Sequence, residues 1–125
     1  MFRPAVLALA ATCCLVPMAA SAQTAVTPGF DSASLVYRCT GGAKLAVVYL
    51  NIQGGDSFAT LYVNGSLALL RAGPTGSGAN YLPVDEKGGY RWHVKGDLGS
   101  LWFRSATPGA SETMVLQDCK AQRPL

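Results

Sequence analysis

Phe58-Ala59-Thr60-Leu61-Tyr62-Val63-Asn64-Gly65-Ser66-Leu67-Ala68-Leu69-Leu70-Arg71 decides the fold class of this chain. Two apolar, strand-favouring runs, Phe58 to Val63 and Leu67 to Arg71, are joined through Asn64-Gly65. Both residues of that dipeptide tolerate the positive φ of a type I′ turn, whose twist matches that of paired strands, so the stretch predicts a β-hairpin. The same grammar repeats on either side. Leu35 to Cys39 and Lys44 to Ile52 precede the hairpin, and in the second run Leu45, Val47 and Tyr49 alternate with Ala46, Val48 and Leu50. Ala79 to Val84, Tyr90 to Lys95, Leu98 to Arg104 and Glu112 to Cys119 follow it. The connectors Gly54-Gly55-Asp56, Asp85 to Gly89 and Thr107-Pro108-Gly109 carry turn chemistry.

These runs make about eight short strands at a spacing near ten residues, the pattern of an antiparallel all-β domain. No window of helical length shows an apolar stripe at i, i+3, i+4. A single sheet of so many strands would leave costly open edges, so closure into a barrel or a flattened sandwich is expected. We expect a small, flattened antiparallel β-barrel, filled by its own side chains and without a large internal ligand cavity.

The 125 residues are 50% hydrophobic and 14% charged, which excludes an intrinsically disordered chain. Part of that hydrophobicity belongs to a leader. Met1-Phe2-Arg3 supplies a positive start, Ala5 to Met18 is apolar without a charge, and Ala20-Ser21-Ala22 is an A-x-A cleavage signature before Gln23. Residues 1–22 therefore read as a signal peptide. As a spanning helix the run is shorter than the roughly 20 residues required, and it contains Pro17. Cleavage after Ala22 leaves an N-terminal arm at 23–33 and a domain at 34–125, released into the periplasm without a stable membrane anchor. The alternative is a lipid anchor in the envelope at Cys13 or Cys14, although Thr12 and Cys13 precede them where a small residue is wanted.

The mature chain has nine basic and seven acidic side chains, a net charge of +2, once Arg3 is removed. The basic residues are scattered singly, and the whole-chain pI of about 8.8 is only mildly basic, so no nucleic-acid-binding stripe is present. Cys39 and Cys119 remain after cleavage, and in an oxidising compartment such a pair is most simply a disulfide. It closes a loop of about 80 residues, worth up to roughly 4–5 kcal/mol in the chain-entropy description. A metal site is disfavoured, since His93 is the single histidine and no C-x-x-C spacing occurs. No cofactor is expected.

No catalytic set stands out. Asp31, Asp56, Asp85, Glu86, Asp97, Glu112 and Asp118 fall mostly in or beside predicted turns, and His93 is expected on the outward face opposite Trp92 and Val94. Two loops draw notice instead, because rigid β scaffolds bind through displayed loops. One is Gly73-Pro74-Thr75-Gly76-Ser77-Gly78-Ala79-Asn80-Tyr81, and the other is Tyr90 to Asp97, which ends on Lys95-Gly96.

Tyr37-x-Cys39, Ser77-Gly78-Ala79-x-Tyr81, Lys95-Gly96-Asp97 and Cys119, in that order and spacing, resemble the bacterial inhibitors of c-type lysozyme, a family with membrane-bound and soluble periplasmic branches. The resemblance covers roughly Leu35 to Gln122. It implies an eight-stranded barrel and a non-enzymatic protein that inserts two loops into the lysozyme cleft. Ser77, Gly78 and Tyr81 carry one motif and Lys95 and Gly96 the other. Where the family places Phe-Trp ahead of that lysine, this chain has Trp92-His93. The alternative reading is a periplasmic barrel that binds a small ligand or glycan without inhibiting lysozyme.

Overall fold

The computed structural model describes residues 4–5, 9–22, 24 and 27–122. Met1-Phe2-Arg3 and Gln23, on which the leader reading partly rests, lie outside the described residues, and 9–22 carry no helix or strand. Eight strands follow: β1 Phe30–Arg38, β2 Lys44–Ile52, β3 Ser57–Val63, β4 Ser66–Gly73, β5 Ala79–Pro83, β6 Gly89–Lys95, β7 Leu98–Arg104 and β8 Thr113–Gln122. A single 3₁₀ turn, Thr40–Gly42, joins the first two. Each strand pairs antiparallel with its chain neighbour, and β8 returns to β1, so the sheet closes into an up-and-down barrel.

The central hairpin forms as its turn chemistry dictates. Val63 pairs with Ser66 around Asn64 at φ 49° and Gly65 at φ 78°, the two positive angles a type I′ turn requires. The alternation of β2 is realised as well: Leu45 and Val47 are each 1% exposed inside the barrel, while Ala46 and Val48 face out. β1 begins at Phe30, inside the stretch read as an arm, and residues 30–33 pair with 49–52. Phe30 to Ser34 show no apolar alternation because none of them enters the core. Backbone pairing with β2 makes this part of the strand, and hydrophobic pattern reports only burial.

The interior is solid. Trp92 is fully buried at its centre, and Tyr37 meets it edge-on at 4.9 Å between ring centroids. The Trp92 Nε1–H donates to the Tyr49 hydroxyl at 2.7 Å, and that hydroxyl bonds the Tyr37 hydroxyl at 2.7 Å. This chain satisfies polar tips that would otherwise be costly to bury. Tyr81 tilts against Tyr49 at 5.6 Å. Burial disfavours the phenolate form and pushes the pKa values of Tyr37, Tyr49 and Tyr81 above the usual 10. Gly99 makes room for the indole, since a Cβ there would lie 2.4 Å from Trp92 Cη2.

Closure depends on β8. Its register against β7 slips between Gly99 and Leu101 and again between Leu101 and Trp102, and such bulges bend a strand and sharpen its twist. The bent strand reaches β1 through only three residue pairs, Val36 to Gln122, Tyr37 to Ala121 and Arg38 to Lys120. Beside this short seam sits the expected disulfide, Cys39–Cys119, with both residues buried.

Candidate functional site

In an up-and-down barrel successive connections alternate between the two ends. The β4–β5 loop, residues 74–78, and the β6–β7 turn, residues 96–97, therefore open at the same end. Pairing makes them adjacent. Ala79 stands opposite Val94, so Gly78 comes to lie beside Lys95. Gly78 adopts φ +70°, and a Cβ built on it would lie 2.3 Å from the Val94 carbonyl oxygen and 3.2 Å from Lys95 Cα. Only glycine combines that left-handed backbone with so close an approach. The two loops are thus one packed unit.

Ser77 is exposed at the edge of this unit, and its carbonyl accepts a hydrogen bond from Thr75 Oγ1 at 3.0 Å. Lys95 is exposed too, at the end of β6. It pairs with Leu98 across a two-residue turn in which Gly96 takes φ +61°. Positive φ at the first central position suits a II′ hairpin turn, where glycine is favoured. The turn is tied sideways, because the Ala121 N–H donates to the Asp97 carbonyl at 2.9 Å. A hydroxyl and an ammonium group thereby project from neighbouring, anchored backbones.

Four of the five expected contact residues, Ser77, Gly78, Lys95 and Gly96, come together at this end. Tyr81, the motif residue read as anchoring or buttressing the loop, stands behind their surface rather than on it. It is 7% exposed and packs on Tyr49 inside the barrel, so it holds the β5 side of the loop from within. The Trp92-His93 pair divides between the two faces of β6. Trp92 fills the core, and His93 lies half-buried on the outer wall, paired with Asn80 and Ser100.

The outer wall carries a feature that sequence spacing did not announce. His93, Lys95, Leu98, Met114, Gln117 and Asp118 line an open groove beside the Lys95 turn. They come from β6, β7 and β8, so no linear motif joins them. Elsewhere Arg91 pairs with Glu112 at 3.2 Å and Arg71 with Asp56 at 3.8 Å, which gives those two acids structural partners. Among the described residues no three His, Cys, Asp or Glu side chains gather as a metal site, and no helix is long and apolar enough to cross a membrane.

The architecture defines a class: a closed eight-stranded β-barrel with a packed interior that displays two coupled loops at one end. The chain belongs to the family described as membrane-bound lysozyme-inhibitor of c-type lysozyme, whose profile matches residues 37–108. Solved structures agree on the fold. The periplasmic lysozyme inhibitor of C-type lysozyme from Salmonella typhimurium is 23% identical, with a TM-score of 0.59 over 73% of this chain and 98% of that one. The inhibitor MliC of Pseudomonas aeruginosa, crystallised in complex with hen egg white lysozyme, is 26% identical, with a TM-score of 0.56 over 78% of this chain and 88% of that one. No curated protein sequence matches the chain significantly.

Proposed function

We propose that this protein inhibits c-type lysozyme by inserting the Ser77 loop and the Lys95 turn into the enzyme's cleft. The observation that carries the reading is the close fit of Gly78 on the β6 backbone, which presents Ser77 and Lys95 side by side at one end. Family membership and the complex formed by the Pseudomonas aeruginosa relative support it.

The residue types suit the target's chemistry. Lysozyme hydrolyses glycan with one carboxyl group held protonated as the acid and a second that is ionised. The Lys95 ammonium pairs with the ionised carboxylate, and a charge-assisted hydrogen bond gains strength where water is excluded. The Ser77 hydroxyl can donate or accept, so it satisfies the acid in either protonation state. Gly76 and Gly78 keep side chains out of a narrow cleft, and the rigid turn backbones lower the ordering cost of binding.

A barrel that carries a ligand needs a hollow centre, and here Trp92, Tyr37, Tyr49 and Tyr81 occupy it. The signal-peptide reading and the periplasmic inhibitor of Salmonella typhimurium support release into the periplasm after cleavage following Ala22. The test is bacterial cell-wall lysis by hen egg white lysozyme, followed by turbidity with and without purified residues 23–125. Lysis should slow in proportion to the added protein. A lysis rate unchanged at a large molar excess overturns the proposal.

A further inference from the structure

The basic residues are scattered along the sequence, yet strand register gathers three of them on one outer wall. Arg38 stands opposite Lys44 on β2 and opposite Lys120 on β8. All three are exposed, and each adjoins a buried core residue, Tyr37, Leu45 or Cys119, so strand alternation points their side chains outward together. Among the described residues none of them forms an ion pair, since the salt bridges belong to Arg71 and Arg91. Asp118, two residues before Lys120, accepts from Thr40 Oγ1 at 3.4 Å instead. Like charges placed directly across a ladder are destabilising, so the fold alone gives no reason for this row. One outward position along the strands an apolar face begins. Val36, Ala46, Tyr62 and Leu67 form a cross-strand row over β1 to β4, and Val48 and Leu69 lie in the next row on either side of Thr60. The five large side chains among them are each 44–74% exposed, and no acidic side chain alternates outward on these four strands. A contiguous apolar patch of this kind marks an interaction site.

We propose that this wall is a docking surface for a bilayer that contains anionic phospholipid. Charge decides the occupant. Surfaces that lie in a lipid interface set apolar side chains into the boundary of the acyl chains and Lys or Arg against the headgroup phosphates, and this wall has both in adjoining rows. Tyr62, in the row next to the cations, has the mixed character that suits the headgroup level. A second copy packed face to face would cover the apolar rows but bring no acid to the three cations, because the wall itself has none. The contact is reversible, since three cations and an apolar face hold a chain at a membrane surface without a spanning segment. It leaves the candidate inhibitory loops free, because β2 and β3 lie across the eight-stranded barrel from β6 and β7, which carry the Lys95 turn. The inference stands on register and charge and does not depend on the lysozyme reading.

Co-sedimentation of residues 23–125 with lipid vesicles tests this. The protein should bind vesicles of equal parts phosphatidylcholine and phosphatidylglycerol, bind phosphatidylcholine vesicles far less, and be released from the mixed vesicles by added salt. Arg38→Gln and Lys44→Gln should each weaken partitioning about fivefold, and Leu67→Ser about tenfold. All three positions are exposed, so the variants should unfold at the parent's denaturant midpoint, and if one does not, the others decide. Lys87→Gln removes the same charge from the β5–β6 loop, off this wall, and should leave partitioning unchanged. Parent-like partitioning of the folded row and face variants, equal weakening by Lys87→Gln, or equal binding to both kinds of vesicle overturns the proposal. So does a stable dimer in sedimentation velocity that Leu67→Ser dissociates, which assigns the face to a second copy. Each of these results leaves the lysozyme reading standing, because the lysis assay decides that separately.

Discussion

Gly78 shows how one missing side chain joins two loops. Its Cα rests on the β6 backbone at φ +70°, so Gly78→Ala adds both left-handed strain, roughly 1–2 kcal/mol, and a clash with the Val94 carbonyl. Thermal unfolding should show a clearly lower midpoint, and lysozyme inhibition should weaken more than tenfold as the Ser77 loop lifts away. At Gly76 a Cβ meets nothing within 4 Å, so Gly76→Ala should leave the midpoint unchanged. Lys95 is the complementary case. It is exposed and supports nothing inside the barrel, so Lys95→Ala should preserve stability while costing about 2–4 kcal/mol of lysozyme binding, much of it from the carboxylate left unpaired. Equal inhibition by parent and variant in the lysis assay would remove the lysine from the mechanism. Ser77, Gly78, Lys95 and Gly96 were all legible as motif residues. The role of Gly78 as a packing contact was not, because it depends on Val94 and Lys95, sixteen and seventeen residues later in the chain.

Strands and turns were the most readable level. Asn64-Gly65 specifies its hairpin through local backbone preference alone, and Leu45, Val47 and Tyr49 announce the inward face of β2. The hairpin turn lies at the end of the barrel opposite the two candidate loops, since β3–β4 and β4–β5 connections emerge at opposite ends. Gly65→Ala, at φ +78°, should therefore lower unfolding stability by about 1 kcal/mol with inhibition unchanged. Loss of inhibition at unchanged stability would show that this end also touches the partner. Element boundaries were less readable. Phe30 to Ala33 extend β1 by backbone pairing without burial, and β8 continues past Cys119 to Gln122 because it must reach β1. The bulges of β8 and the left-handed Asp118 leave no periodic signal, since a bulge interrupts the very alternation by which strands are recognised.

For the whole molecule, the weakest boundary is the β8–β1 seam, where three residue pairs close the barrel and Cys39–Cys119 staples it. Replacing both cysteines by serine should cost about 2–5 kcal/mol in denaturant unfolding, because the open chain regains the freedom of an 80-residue loop. A second property follows from the tyrosine-filled interior. Folding raises the pKa values of Tyr37, Tyr49 and Tyr81 above 10, so their contribution is intact below about pH 10 and is lost as pH climbs beyond it. The unfolding midpoint should hold level from pH 7 to 9 and fall steeply above pH 10. A midpoint that stays flat to pH 11 would mean that the phenols ionise freely in the folded barrel. The sequence by itself determined the all-β class, the hairpin turns, the pairing of the two cysteines and the two motif loops, because each is written in local preference or in residue type. Only the tertiary structure decided that the barrel closes through β8, that Gly99 yields its space to Trp92, that Tyr81 turns inward, and that His93 and Asp118 share a groove with Lys95. Those outcomes depend on strand register and shear, which bring together residues far apart in the chain and are set by packing the whole sheet at once.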